Sequence, residues 1–291
     1  MTLLSKAWTN LLNVAEQSAF RDVCVRQGGC KDAGVTPLDV AKMLEKLVNP
    51  ALVYVYENGE PIPSSYYTRH INIAGQAIPV VDCVQLDNWL SNGFGLLIEA
   101  MDQLFPHLGE AASAVESKML DHSVNVAAML SSPGCELYSP HFDMANVLVC
   151  QVSGSKHWKF YAEREPSSNY KKLNPAELGP VVQEVLMLPG DVMFVPRYIP
   201  HQCETIAPSM HLTADVSWFG ATMFDWAQSL MKSSVACAEI PWREGVKMVE
   251  SSQAERDRVL GEMQSLADRN ATEVKVRRSQ HLSKFRQRWS T

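Results

Sequence analysis

Between about residues 123 and 219 the chain breaks into short runs rich in β-branched and aromatic residues: SVNVAAML, NVLVCQV, KHWKFY, EVLML, DVMFV and HLTADVSWF. Breaks of the form SPG, SGS, LPGD and PRYIP separate them. Many short strands with Gly and Pro turns fit an antiparallel barrel or sandwich and fit little else. Both flanks have a different texture, so an α+β organisation is expected. Residues 1–122 form a mixed, mostly helical segment, 123–219 the β core, and 220–291 a helical region ending in a basic tail.

In the first segment, MTLLSKAWTNLLNVAEQ reads as an amphipathic helix without the apolar core or cleavage site of a signal peptide. VTPLDVAKMLEKLVNP places Thr36 as N-cap, Pro37 at the first helical position and Pro50 as the stop. LVYVYENGEP alternates apolar and aromatic residues around Asn58-Gly59, which signals a strand and tight turn. From Leu86 to Leu120 the pattern reads as helices interrupted at Pro106. After Gly220, ATMFDWAQSLMKSSV and SSQAERDRVLGEMQSLADRN return to helical periodicity.

Composition excludes several classes. No apolar run approaches the roughly 18 residues of a membrane span, and a cytoplasmic location is expected. Seven cysteines, at 24, 30, 83, 135, 150, 203 and 237, contain no CxxC pair and read as reduced thiols rather than a disulfide framework. The net charge of −6 hides a tail, 271–291, that carries +5 against −11 for the remainder. An exposed helix face is the commoner reading of such a tail, and contact with nucleic acid the weaker one.

The stretch SPHFDMANVLVCQVSGSKHWKFY carries the chemistry. In a strand, residues i and i+2 share a face, so His141 and Asp143 can point into a barrel while Phe142 points out. A neutral imidazole and a carboxylate are two thirds of the facial triad that holds non-haem Fe(II) and leaves positions open for a co-substrate and dioxygen. His201, after the PGD turn and the Pro-bounded corner of LMLPGDVMFVPRYIPHQCET, is the best third ligand.

Lys156 lies at an odd offset from His141, and the SGS break at 153–155 is expected to turn the chain so that KHWKFY runs back as the next strand. A lysine pointing inward there needs an anion, and the far carboxylate of 2-oxoglutarate would serve. Thr213, Asp215 and Ser217 share a face of HLTADVSWF, and a hydroxyl of Thr213 or Ser217 could be a second partner for that carboxylate. His211 reads as a satisfied core histidine and His157 as structural. Arg197, in the corner before His201, either binds substrate or caps the turn. His70, His107, His122 and His281 fall in no pattern.

These stretches, with SSPGCELYSPHFDMANVLVCQVSGSKHWKFY, LPGDVMFVPRYIPHQCE and SMHLTADVSW taken together, resemble the JmjC family of Fe(II)- and 2-oxoglutarate-dependent oxygenases, most of all its ribosomal oxygenase (cupin-like) branch. The resemblance implies a double-stranded β-helix (jelly-roll) core, iron held by His141, Asp143 and His201, and Lys156 on the 2-oxoglutarate carboxylate. It also implies the family's chemistry, in which O2 and 2-oxoglutarate give succinate, CO2 and an oxidised C–H bond. Related halogenases replace the carboxylate ligand with a small residue, so Asp143 favours hydroxylation.

The expected reaction is hydroxylation of an amino-acid side chain, at Cβ, in a peptide or protein, with the tailoring of a peptide natural product as one form of it. The alternatives are the same chemistry on a modified RNA base or small metabolite, N-methyl-lysine demethylation, and a non-oxidative metal-binding cupin. Met129 stands near a position where the family often has a tyrosine. Residues 220–291 are too few for the family's dimerisation segment and winged-helix domain together, though residues 221–270 suffice for a homodimer contact. The polar stretch 162–180 is expected to select substrate.

Overall fold

A computed structural model of the chain describes residues 1–46, 48–119, 122–162, 173 and 178–218. Residues 1–119 and 123–217 form one compact unit, and 120–122 with 218–291 group into a second. The expected C-terminal helices, the dimer segment and the basic tail lie outside the described residues, as does most of the 162–180 stretch.

In chain order the elements are α1 (Leu3–Gln17), β1 (Cys24–Arg26), α2 (Pro37–Leu44), β2 (Val53–Glu57), β3 (Glu60–Pro61), β4 (Thr68–Ile73) and β5 (Gln76–Val81). Then follow α3 (Cys83–Ser91), β6 (Gly95–Ile98), α4 (Met101–Leu104), α5 (Pro106–Lys118), β7 (His122–Ser131), β8 (Asn146–Tyr161), β9 (Val181–Met187), β10 (Val192–Val195) and β11 (His201–Trp218).

Local chemistry explains the helices. Thr2 caps α1 by accepting the Ser5 backbone N–H at 3.1 Å, and one face of α1 buries Leu4, Trp8, Leu11, Leu12 and Ala15. Thr36 and Asp39 form a capping box at the head of α2. That helix stops at Leu44, earlier than the sequence suggested, and Pro50, with Asn49 extended before it, starts a short 3-10 turn.

A nine-stranded sheet runs β1-β10-β8-β11-β7-β6-β2-β3, with β9 added on β8, and β4-β5 forms a separate hairpin. This is the curled antiparallel arrangement of a jelly-roll core. Four of its nine strands come from the first hundred residues, so the segment read as mostly helical contributes to the sheet as well as to its cover. β6 was missed altogether: GLLI is buried at all four positions between β2 and β7, and a continuous apolar run has no period to betray it. A Cβ on Gly95 would lie 2.7 Å from Leu137 Cγ, so glycine lets the Leu137 side chain pack against β6.

The expected reversal at SGS does not occur. β8 is one strand of 16 residues, antiparallel to β11 along nearly its whole length. At the break the pairing slips: Lys156 faces Thr205 and Ser155 faces Ala207, and the register re-forms at Gln151–His211. Gly154 adopts φ +65°, and a Cβ on it would sit 2.0 Å from the Pro208 carbonyl oxygen, so the two strands bend through each other at a bulge. The bulge inverts the parity of β8. Val147 and Val149 face inward before it, Trp158 and Phe160 after it, and all four join one interior cluster with Met187, Met193 and Val195.

The other face of the same strands belongs to the main core. Leu148, Cys150, Phe194, Leu212, Ala214 and Val216 pack with the apolar faces of α1 and α5. The sheet is thus a wall between a helical layer and an interior space, and that interior holds the site.

Candidate active site

His141 precedes β8 in an irregular segment and is pinned by an isolated antiparallel bridge to His201, the first residue of β11. The backbones exchange two hydrogen bonds: His141 N donates to His201 O at 3.1 Å and His201 N to His141 O at 2.8 Å. The β2–β3 turn braces the approach. Asn58 and Gly59 both have positive φ, and Gly59 N donates to Glu136 O at 2.9 Å. Phe142, between the two polar residues, is buried against Tyr198 rather than pointing to solvent.

Each imidazole is held by its Nδ1. His141 Nδ1 lies 2.9 Å from Ser139 O and His201 Nδ1 lies 3.0 Å from Ile199 O, so a proton on Nδ1 leaves the Nε2 lone pair bare. Burial pushes both histidines down to about 4, which keeps the rings neutral near pH 7. His141 Nε2 and His201 Nε2 each stand 3.6 Å from a different oxygen of Asp143, and the three donor atoms lie within 4.8 Å of one another. Two Nε2 atoms and one carboxylate converge at the spacing a divalent cation of the facial-triad type requires.

These residues line a cavity of about 280 Å³. Its walls include Leu97, Ala127, Met129 and Tyr138 on one side and Trp158, Lys156 and Cys203 on another. Lys156 is 3% exposed, and among the described residues no ion pair or hydrogen bond reaches its ammonium. Burial lowers its pKa, and the nearby Cys203 thiol, pushed up by burial to about 11, stays neutral and offers no counter-charge. A buried, unpaired cation facing a cavity is costly unless an anion enters.

Thr213 lines the same cavity, whereas Ser217 does not, so only the first of the two candidate hydroxyls is presented to a ligand. Arg197 is also outside it: its guanidinium lies 5.4 Å over the Tyr198 ring, and its backbone N–H donates to Asn146 Oδ1 at 3.0 Å. Of its two expected roles, the geometry displays the turn-stabilising one. His157 points outward to Glu184 at 3.0 Å, a structural pair.

His211 departs from its sequence reading. It is 1% exposed and lines the cavity, yet neither ring nitrogen has a hydrogen-bond partner, so it is a buried but unsatisfied histidine. Burial and Lys156 both hold its pKa well below the ordinary value, and its ring meets Trp158 edge-on at 5.8 Å. Glu99, Tyr138, Trp158 and Cys203 were not singled out from the sequence. Their alternation with Leu97, Lys156 and His201 on the same strands is the signal that would have found the first, third and fourth.

A barrel of this topology with two imidazoles and one carboxylate converging on an open-mouthed cavity is the arrangement of a metal-binding cupin-type site. Comparison with known sequences is more specific: the family model of the JmjC domain matches residues 105–223. That stretch is thus similar to a JmjC domain, and the chain is similar to ribosomal oxygenases. It is 36% identical over 94 residues to the bifunctional lysine-specific demethylase and histidyl-hydroxylase NO66 of Aedes aegypti, covering 30% of this chain and 15% of that protein. Ribosomal oxygenase 1 of Gallus gallus is 30% identical over 129 residues, covering 41% of this chain and 21% of that one. The matches thus span about a fifth or less of these two relatives' own lengths.

Among solved structures, YcfD, a ribosomal oxygenase from Escherichia coli in complex with cobalt and 2-oxoglutarate, superposes with a TM-score of 0.54 at 13% identity, over 88% of this chain and 70% of that one. The same protein with cobalt and succinic acid gives 0.52 at 14% identity, over 88% and 65%. At that identity the likeness establishes the shared fold. Among the described residues no helix is long and apolar enough to cross a membrane.

Proposed function

We propose that the chain is an Fe(II)- and 2-oxoglutarate-dependent oxygenase that hydroxylates an amino-acid side chain, at Cβ, within a peptide or protein. The observation that carries this reading is the pairing, in one cavity, of a convergent His141-Asp143-His201 donor set with the buried, unpaired Lys156. Bound iron, with 2-oxoglutarate and O2, would supply the oxidising power to attack an unactivated C–H bond.

The protein's own residues have separate tasks. His141 and His201 present neutral Nε2 lone pairs whose direction is fixed by the carbonyls on Nδ1. Asp143 supplies the third donor and one negative charge. Lys156 meets the distal carboxylate of the keto acid, and Thr213 offers a hydroxyl on the same wall. Leu97, Ala127, Met129 and Leu137 form an apolar side that limits water around the reacting groups. A cupin with no co-substrate would have no use for a buried lysine here, and removing it would improve stability.

The test is direct. The chain is incubated with Fe(II), 2-oxoglutarate and air in the presence of a mixed proteolytic digest of cellular protein, and peptides are read by mass spectrometry. The expected result is peptides that gain one oxygen in step with succinate release. Formaldehyde with loss of methyl groups would transfer the reading to demethylation, an activity recorded in the name of the NO66 relative. Oxygen gained only by free small molecules would overturn the polypeptide substrate.

A further inference from the structure

We propose that His211 donates an imidazole N–H to the distal carboxylate of the keto acid, beside Lys156, and so helps select a co-substrate that carries that group. This rests on the oxygenase reading and goes beyond it by assigning a buried residue that the reading leaves without a task.

A neutral imidazole has one N–H to donate and one lone pair that accepts. At His211 both ring nitrogens are buried and neither has a hydrogen-bond partner among the described residues. Burying such a group unpaired is costly, and a ligand entering the cavity that the ring lines removes the cost. The residue directly across the ladder, Gln151, supplies no partner: its amide nitrogen donates to Ser153 O and to Ser209 Oγ, each at 2.8 Å. Along β11, Leu212 and Ala214 enter the apolar core while His211 and Thr213 line the cavity, so strand alternation alone aims the ring inward.

The neighbouring rings fix where along the cavity His211 stands. Trp158 is flanked by two histidines: its ring centroid lies 5.7 Å from that of His201, in the donor set, and 5.8 Å from that of His211. Lys156 is two residues from Trp158 on the same face of β8, roughly 7 Å along the strand. Phe160 pairs with His201 and Lys156 with Thr205, so Lys156 lies beyond Trp158 as seen from the donor set. A dicarboxylate held by one end at the donor set therefore presents its other end to the wall that carries Lys156 and His211.

The two groups act differently on that carboxylate. Lys156 supplies the charge. His211 is kept neutral, first by burial and then by the Lys156 charge, so it supplies a directed N–H without adding a second buried cation. Water in the cavity is the competing partner for the ring, and it predicts that keto acid binding is indifferent to His211.

The experiment is calorimetric titration of the full chain, loaded with Zn(II), with 2-oxoglutarate, in the parent and in His211→Phe, which keeps a ring against Trp158 and removes both nitrogens. His211→Phe should bind 2-oxoglutarate about tenfold to a hundredfold more weakly, with Zn(II) affinity and thermal midpoint no lower than the parent's. Parent-like keto acid affinity overturns the assignment, and so does a loss matched by weaker Zn(II) binding or a lower midpoint, which marks a structural role. The unmodified chain gives a second reading that does not depend on the variant's folding. With 15N-labelled histidine and Zn(II), 2-oxoglutarate should bring up one further protected imidazole N–H signal, and an excess of 2-oxopentanoate, which has a methyl group in place of the distal carboxylate, should not. No such signal, or the same signal with both keto acids, overturns the assignment. A chain that takes up Zn(II) but no 2-oxoglutarate sinks the oxygenase reading and this assignment together, while keto acid binding lost in Lys156→Met and intact in His211→Phe sinks the assignment alone.

Discussion

The two faces of β8 and β11 follow opposite rules although they share a backbone. On the helix side, Leu148, Cys150, Leu212 and Ala214 are fully buried in an apolar core against α1 and α5. On the cavity side, within the same residues of chain, Lys156 and His211 are buried without partners and Asp215 stands among other carboxylates. One face is filled by apolar packing; the other gathers buried charged and titratable groups, which on the proposed function metal, keto acid and substrate would complete. The lesson is that a missing partner alone marks nothing, since the Trp8 indole N–H is buried without one in the apolar core; what marks the candidate site is that such groups gather with charge around one cavity.

The sharpest way to test that contrast is to cut each face in turn. Leu212→Ala should cost about 2–5 kcal/mol of folding free energy, because it opens a void in a core that cannot collapse around it. Lys156→Met, on the opposite face, should leave stability unchanged or raise it, since it removes an unpaired buried charge. Urea denaturation of the two variants, side by side, reads the difference, and a Lys156→Met as damaging as Leu212→Ala would contradict the account.

Gly154→Ala attacks the device that joins the two halves of β8. The positive φ and the approach of the Pro208 carbonyl should make it destabilising by about 1–3 kcal/mol. It should also weaken keto acid binding, because the bulge is what turns Lys156 to the inner face. Normal stability together with normal keto acid affinity would show that the bulge sets neither.

The smallest effect belongs to Asp215. Its folded carboxyl titrates near 7, above the ordinary value of 3.8, so the folded state holds the proton more tightly than the unfolded one. The resulting penalty on folding is absent below about pH 4, grows as pH rises through the interval, and is complete above pH 7. Asp215→Asn should therefore be more stable than the parent at pH 8 and indistinguishable from it at pH 4, by thermal melts at matched ionic strength. A stability difference that is constant across that range would contradict it.

Much of this was legible in the residues. The β texture after residue 122, the Thr36 cap, the Asn58-Gly59 turn and the His-x-Asp spacing each express a local rule, and local rules survive folding. What was not legible depended on long-range register. A glycine with positive φ ends a strand in one context and bulges it in another, and only the facing Pro208 decides that SGS does the second. β6 looked helical because a strand buried on both faces has no alternation. His211 was read as satisfied because partners are a property of neighbours in space, and the strand that supplies its neighbours, Lys156 and Trp158, is remote in sequence. Arg197 and Ser217 sit close to cavity residues in sequence but lie outside the cavity lining in the fold.

The most direct test of the central claim is an anaerobic titration: the chain loaded with Fe(II), then 2-oxoglutarate added, with the visible charge-transfer band of an iron-chelated keto acid as the readout, beside Asp143→Ala and Lys156→Ala. A band in the parent chain that is lost in Asp143→Ala and needs roughly a hundredfold more keto acid in Lys156→Ala is the predicted result. A chain that binds iron yet gives no band, or a Lys156→Ala variant that titrates like the parent, would contradict it.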